Sequence, residues 1–271
     1  MGAVVCPVCF CDLNRENGSY KCENNHCFDI SKFGTLNLNM SNSSSKKRHG
    51  DDSAMVRARK AFLDNAYFGD LLKDVCKKAQ AHKKNCDVLV DIGCGEGYYT
   101  SGVAECVNAS EVIGIDISRD AVRYFKKRLP DAFGCIASAY KLPIKSESAD
   151  IIMNMFAPIE TNECARVLKE KGILIRTYVM KEHLIELKRA VYSSAYYNDE
   201  EDVALEGFEI IDSAVTNGKI TVVGEDIQNL FMMTPYYYKT AREDQEKLKH
   251  IEKLDVTTQF RTVIYKKSRS C

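Results

Sequence analysis

Val88-Leu89-Val90-Asp91-Ile92-Gly93-Cys94-Gly95-Glu96-Gly97-Tyr98-Tyr99-Thr100 decides the fold. Val88, Leu89, Val90 and Ile92 read as a strand buried on both faces, with Asp91 near its end. The run breaks into Gly-x-Gly-x-Gly and turns into a helical pattern from Tyr98 to Cys106. Such a turn lets a ligand approach the backbone, because no Cβ intervenes and the helix start offers free N–H groups. The next strand-like run, Glu111-Val112-Ile113-Gly114-Ile115-Asp116, ends in an acid. Its distance from the turn, roughly 20 residues, is where a Rossmann-type site sets a carboxylate against ribose hydroxyls.

The spacing separates two kinds of nucleotide site. A dinucleotide fingerprint needs a third glycine one step later for helix packing, and Thr100 and Ser101 supply none. The acid-first form, Asp-x-Gly-Cys-Gly-Glu-Gly, resembles motif I of the class I S-adenosylmethionine-dependent methyltransferases. That resemblance implies that Asp91 orients the turn and faces the amino-acid end of the cofactor. Gly93 and Gly95 would then make room for its sulfonium and ribose. NAD or another nucleotide, and a ligand-free turn, are the competing readings.

From residue 87 onward the pattern alternates strand and helix, which implies a parallel sheet covered by helices on both faces. Strands are expected at about 87–92, 111–116, 133–137, 149–154 and 172–179, then at Phe208–Thr216 and Val256–Lys266. Helices are expected at about 97–107, 118–128, 160–169, 182–193, 224–231 and 240–252. Seven strands with the final pair antiparallel match the class I methyltransferase order: an α/β, Rossmann-like, mostly parallel sheet with its ligand crevice at the carboxyl ends of the strands. Residues 86–271 form this domain.

Residues 1–40 are a compositional island. The chain has 12 cysteines, and Cys6, Cys9, Cys11, Cys22 and Cys27 fall inside it. Two short ligand pairs, Cys6-Pro7-Val8-Cys9 and Cys22-Glu23-Asn24-Asn25-His26-Cys27, read as a tetrahedral zinc site. Cys6, Cys9 and Cys22 are three ligands, and the fourth is His26 or Cys27, because adjacent residues do not easily point at one metal. A closed set of four protein ligands is structural, since no position is left for water. Most of the other cysteines sit in or beside apolar segments and read as small core residues.

Between these parts, residues 41–85 form a linker and lid helices. Residues 41–52 are serine-rich, then basic, a composition typical of linkers. A helix from Ser53 to Leu63 breaks near Asn65–Gly69 and resumes from Asp70 to His82, with Tyr67 and Phe68 just ahead of the methyltransferase domain.

Formal net charge is zero, which gives no electrostatic sign of nucleic-acid binding. Charge is nonetheless segregated: Lys46-Lys47-Arg48-His49, Arg57-Ala58-Arg59-Lys60 and Lys126-Lys127-Arg128 lie in the first half, and Asp199-Glu200-Glu201-Asp202 in the second. Solvated helix faces explain most such runs; a shared RNA-facing patch is the functional alternative. No apolar run approaches the ~20 residues that span a bilayer, and the start lacks the basic and apolar regions of a secretion signal. A cytoplasmic protein with no membrane contact is expected.

Several stretches together resemble the RlmA (RrmA) family of bacterial 23S rRNA guanine-N1 methyltransferases. They are Cys6-Pro7-x-Cys9, Ser19-Tyr20-x-Cys22-x-x-x-His26-x-Phe28-Asp29, Gly50-Asp51, Ala58-Arg59-x-Ala61-Phe62-Leu63-Asp64, motif I, Ala157-Pro158 and His183-Leu184-x-Glu186-Leu187-Lys188. The likeness implies a zinc set of three Cys and one His, which favours His26. It implies a 23S rRNA hairpin as partner, gripped partly by the zinc module, and a homodimer forming an RNA cleft. It places cofactor contacts on Gly95, Glu96, His183 and an aromatic that aligns with Phe68, beside Tyr67. Asp116 is assigned to the ribose from its position alone. Gly34-Thr35 departs from a common Gly-Tyr, which is expected to alter an RNA contact. Lys169-Glu170-Lys171-Gly172 departs from Lys-Pro-Gly-Gly, which is expected to touch only a turn.

The chemistry then needs a methyl held in line with its acceptor, so positioning should dominate the rate. Guanine N1 carries a proton and is a poor nucleophile until that proton leaves, so a base, or a group stabilising negative charge at O6, should help. Asn154-Met155-Phe156-Ala157-Pro158 occupies the strand end where nucleic-acid methyltransferases hold the target base. Asn154 is expected to hydrogen-bond the base and Phe156 to stack on it, with the base extruded from its hairpin. A small-molecule methyltransferase with a structural zinc knuckle is the alternative, and a zinc-ribbon RNA-binding module on a degenerate domain is a third. Methyl transfer to RNA with and without residues 1–40 should separate the first two.

Overall fold

In the computed structural model, which describes residues 2–40 and 50–268, the chain folds around one mixed sheet. The basic run Lys46-Lys47-Arg48-His49 and most of the expected linker lie outside the described residues. The amino-terminal part holds β1 (Asn14–Glu16), β2 (Ser19–Lys21), β3 (Cys27–Asp29) and β4 (Thr35–Asn37). Two helices follow, α1 (Ser53–Asp64) and α2 (Gly69–His82). The alternating region then runs β5 (Val88–Ile92), α3 (Tyr98–Cys106), β6 (Glu111–Asp116), α4 (Arg119–Arg128), β7 (Phe133–Ile136), β8 (Ala149–Met155), α5 (Thr161–Val167) and β9 (Leu168–Val179). It closes with α6 (Ile185–Val191), β10 (Phe208–Val223), α7 (Glu225–Met232), α8 (Arg242–Glu246) and β11 (Lys253–Lys267).

Among the described residues the main sheet has 8 strands in the order β10-β11-β9-β8-β5-β6-β7-β4. The central strands are parallel, β5 pairing Val88 to Glu111 on β6 and Leu89 to Ile151 on β8. They are buried on both faces, β8 along its whole length, as their unbroken apolar runs require. The chain winds from β5 through β6 to β7 and then returns to the other side of β5 with β8. That reversal opens the crevice at the strands' carboxyl ends. β11 is antiparallel to both β9 and β10, the arrangement expected of the final pair.

Helix starts obey local chemistry. Asp52 caps α1 by accepting from the N–H groups of Ala54 (2.8 Å) and Met55 (2.9 Å), and Ser118 caps α4 through Ala121 N–H at 3.3 Å; such caps satisfy donors that have no partner within the helix. One core, with Phe62, Phe68, Leu71 and Val75, lies between the sheet and α1, α2, α3, α6 and α7. The second, on the opposite face, joins Val90, Ile92 and Ile113 to Ala3, Val4, Leu36 and Leu38 of the amino-terminal part.

Four differences from the sequence reading are instructive. The sheet gains an eighth strand because β4 adds in parallel to β7, Leu36 opposite Cys135. Thr35 is therefore buried in an edge strand, its hydroxyl 2.7 Å from that of Ser31, and does not face solvent. Lys169-Glu170-Lys171-Gly172 is not a turn but the first part of β9. The 240–252 pattern is not one α-helix: α8 covers Arg242–Glu246 and a 3-10 helix continues it over Lys247–His250.

Candidate functional site

A cavity of about 1190 Å³ opens at the carboxyl ends of β6, β5, β8 and β9. Its floor is the turn after β5. Gly93, Gly95 and Gly97 have φ of +78°, +55° and +86°, a region that side chains strain. At Gly93 the requirement is also steric, because a Cβ there would lie 2.2 Å from the Ala157 Cβ. The turn is tied down by Asp116, whose carboxylate accepts from Gly95 N–H (3.0 Å) and Ser118 N–H (2.8 Å). One acid thus orders both the glycine turn and the loop after β6.

Three acids converge here. Asp91 is buried and accepts from the Thr100 hydroxyl with one oxygen, while the other has no partner. Burial, helped by the neighbouring Asp116 and Glu96, raises its carboxyl to about 7. Glu96 is also buried; one oxygen accepts from Tyr98 N–H at 3.0 Å, and the other has Arg128 at 3.9 Å but no hydrogen bond. Burial raises the carboxyls of Glu96 and Asp116 as well. Unpartnered buried acceptors cost free energy, so a cavity with this many carboxylates suits a ligand carrying positive charge and hydroxyl donors. The ammonium, sulfonium and ribose hydroxyls of S-adenosylmethionine fit that requirement.

Phe68 and His183 face the same cavity. Their rings are 5.9 Å apart, and both pack on Phe260, at 5.2 Å and 4.4 Å. His183 Nδ1 accepts the Gln259 N–H at 3.2 Å, and burial lowers the imidazole to about 3. The ring is therefore neutral with its proton on Nε2, a donor. Tyr67, adjacent to Phe68, is not on the cavity wall. Its ring stacks on Phe62 at 4.6 Å and its hydroxyl donates to Asp226 at 3.1 Å.

At the amino-terminal end, Cys6, Cys9, Cys22 and His26 bring their donor atoms within 4.8 Å of one another. His26 Nδ1 lies 3.6, 3.5 and 3.3 Å from the sulfurs of Cys6, Cys9 and Cys22, and Cys9 and Cys22 are 3.7 Å apart. A tetrahedral zinc with Zn–S of ~2.3 Å and Zn–N of ~2.0 Å sets the N–S and S–S separations at about 3.5 and about 3.8 Å. Each ligand pair sits on a tight turn whose tip takes positive φ, Phe10 at +60° and Asn25 at +62°. Cys27 instead belongs to β3 and is exposed.

Two family profiles match: a methyltransferase domain over residues 89–172 and the RlmA amino-terminal zinc ribbon over residues 4–41. The 23S rRNA (guanine(748)-N(1))-methyltransferase of Streptomyces fradiae is 32% identical over 189 residues, 69% of this chain and 66% of that relative. YxjB of Bacillus subtilis (strain 168), named for the same class of reaction, is 26% identical over 268 residues, 93% of each chain. The chain belongs to the RlmA family. It has the class I methyltransferase fold with its S-adenosylmethionine cavity, and a zinc ribbon.

In this RlmA chain the strand end after β8 differs from the sequence expectation. Asn154 is fully buried, and its amide donates to the carbonyls of Ile92 (3.0 Å) and Pro158 (3.3 Å) while its oxygen accepts from Arg176 Nε at 3.0 Å. Both amide hydrogens and one lone pair of the oxygen are thus engaged inside the protein, and the side chain is not on the cavity wall, where the expected hydrogen bond to a base would need it. Phe156 does face the cavity, 46% exposed, with φ of +60°. Its ring packs 5.6 Å from Phe260 and 6.3 Å from Tyr99, leaving the rest open to the cavity. Arg176, which sequence reasoning missed, lines the cavity from β9. The available signal was a lone cation inside the apolar run Ile173-Leu174-Ile175-Arg176.

Proposed function

We propose that this protein transfers the methyl group of S-adenosylmethionine to N1 of a guanine in a 23S rRNA hairpin. The observation that carries the reading is the coexistence, in one molecule, of the acid-lined glycine turn and a Cys3His cluster with zinc-like spacing. In this reading Asp91 holds the amino-acid end of the cofactor, Asp116 the ribose, and Gly93, Gly95 and Glu96 the turn against it. Phe68 and the His183 Nε2–H form the opposite wall. When bound, the cofactor supplies an electrophilic methyl on a sulfonium. The protein supplies placement, exclusion of water and a surface for the extruded base, on which Phe156 stacks.

Zinc would be held by Cys6, Cys9, Cys22 and His26 as a structural ion that fixes the lobe gripping RNA. The protein acts in the cytoplasm, where rRNA is modified; no helix among the described residues is long and apolar enough to cross a membrane. A homodimer would extend the RNA cleft, and sedimentation with and without a hairpin transcript tests it.

Primer extension on 23S rRNA treated with enzyme and cofactor should arrest at one guanine, because N1 methylation blocks pairing. Methylation of small molecules without any rRNA product would favour the small-molecule alternative. The test that deletes residues 1–40 is not clean, since it would remove β4 from the main sheet and Ala3 and Val4 from the core. Zinc chelation leaves the chain whole and is the better probe when RNA transfer is compared with cofactor affinity and Tm on the same sample.

A further inference from the structure

The cavity spans more of the sheet than the cofactor turn requires, running on to β9 and to the segment after α6. Its charged groups sort by elimination. Asp91, Glu96 and Asp116 belong to the glycine turn, and Asp51 is ion-paired with Arg59. His183 presents only a donor, since its Nδ1 already accepts a backbone N–H. What remains is Arg176 with Glu201, whose Nη2 and Oε2 are 3.5 Å apart on the cavity wall.

Arg176 is held firmly. Its Nε donates to Asn154 Oδ1 at 3.0 Å, its Nη1 to the Tyr178 hydroxyl at 3.1 Å, and its guanidinium lies 4.6 Å from the Tyr178 ring centroid. Two of its five N–H groups are left after these contacts and Glu201. The side chain is only 13% exposed, whereas Glu201 is 63% exposed. The buried Asn154 amide thus has a use: it fixes the rotation of a cation on the cavity wall.

Guanine presents, along its Watson–Crick edge, donors at N2 and N1 and an acceptor at O6. A carboxylate beside a guanidinium offers two acceptors and then a donor, the complementary order. Adenine would set its N1 lone pair against the carboxylate. We propose that Glu201 and Arg176 read the target base, with Glu201 accepting from N2 and N1 and removing the N1 proton, and Arg176 donating to O6. This rests on the guanine-N1 reading above. The N1–H bond breaks, its proton passes to a Glu201 oxygen, and its electron pair spreads over N1 and O6, where Arg176 stabilises the charge. The N1 pair then takes the methyl as the carbon–sulfur pair returns to sulfur, and the Glu201 proton leaves to solvent. Asn154 acts as a positioning residue through Arg176.

The test compares wild type, Glu201→Gln and Arg176→Lys on 23S rRNA transcripts carrying guanosine or inosine at the modified position. S-adenosylhomocysteine affinity is measured by calorimetry alongside. Glu201→Gln should lower kcat at pH 7 by ~100-fold or more, with Kd for S-adenosylhomocysteine changed less than about threefold. Its rate should climb about tenfold per pH unit toward pH 9 as the base ionises unaided, while wild type levels off. Wild type should prefer guanosine to inosine, which lacks the N2 amine, and Glu201→Gln should lose that preference. Arg176→Lys keeps the charge but not the fork and should lose kcat in the same way. A Glu201→Gln enzyme with the wild-type rate, pH profile and base preference overturns the proposal while leaving the substrate reading intact. Wild type that produces no N1-methylguanine in rRNA overturns both.

Discussion

Asp91 and His183 are two buried groups of the cofactor cavity that titrate the fold in opposite senses. Asp91 is raised to about 7 by burial, so in the free protein it contributes stability below its ordinary range that is lost as pH climbs toward 7. His183 is lowered to about 3, so its contribution is present above about 6.5 and is lost as pH falls through the acid range. The slopes oppose each other between about pH 4 and 6.5, and single variants are needed to see either. Because His183 is common to both proteins, the stability difference between wild type and Asp91→Asn isolates Asp91: in urea unfolding it should shift against wild type by about 3 kcal/mol between pH 5 and 7, at ~1.4 kcal/mol per pKa unit. A cationic cofactor beside Asp91 favours the ionised form, so binding near pH 6.5 should release up to roughly three-quarters of a proton. Calorimetry in buffers of different ionisation enthalpy reads that release, and Asp91→Asn should abolish it. At Gly93, alanine must fit a Cβ 2.2 Å from that of Ala157 at a φ of +78°. A cost of ~1–3 kcal/mol and a weakened cofactor site are expected, read by thermal melting and cofactor titration.

At the scale of elements, Phe156 and Asn154 stand two residues apart at the end of β8, and substitution should separate them. Phe156→Ala removes an exposed ring and should lower methyl transfer to RNA about tenfold or more, the loss of ~1–3 kcal/mol of base stacking, with cofactor Kd nearly unchanged. Asn154→Ala strips buried partners from Ile92, Pro158 and Arg176 and should cost ~2–4 kcal/mol of stability, read in denaturant melts before any kinetic effect is interpreted. The sequence could not distinguish these roles, because position at a strand end says nothing about which way an amide turns. The central strands were legible since β5, β6 and β8 are short apolar runs bounded by turn residues, and motif I carries its own geometry. β4 was not legible: Thr35-Leu36-Asn37 is too short to show a period and is a strand only because β7 offers an edge. The end of β10 was hidden by Thr216-Asn217-Gly218, which reads as a hairpin turn. The strand runs through it because Asn217 and Gly218 pair with Gln259 and Thr258 of β11.

For the molecule as a whole, the zinc ribbon packs on the catalytic sheet and the segment after it lends that sheet a strand. Tyr20 of the ribbon packs 5.4 Å from Phe133 on β7, Val5 N–H bonds Pro143 at 2.9 Å, and β4 completes the sheet edge. Asn39, just after β4, reaches the wall of the cofactor cavity. Metal loss frees Cys6, Cys9, Cys22 and His26 to fray from one end of that continuous core. A structural zinc site is folding free energy, so Cys22→Ser, or chelation, should remove about 3 kcal/mol or more and, at ~2–4 °C per kcal/mol, lower Tm by ~6–12 °C. Unlike an appended RNA-binding module, this ribbon should also drag cofactor affinity down several-fold, through β4 and Asn39. Scanning calorimetry and cofactor titration on metal-loaded and chelated protein check both effects. A catalytic domain that melts at the same temperature and binds cofactor equally well without zinc would show that the ribbon is energetically separate, despite sharing the sheet.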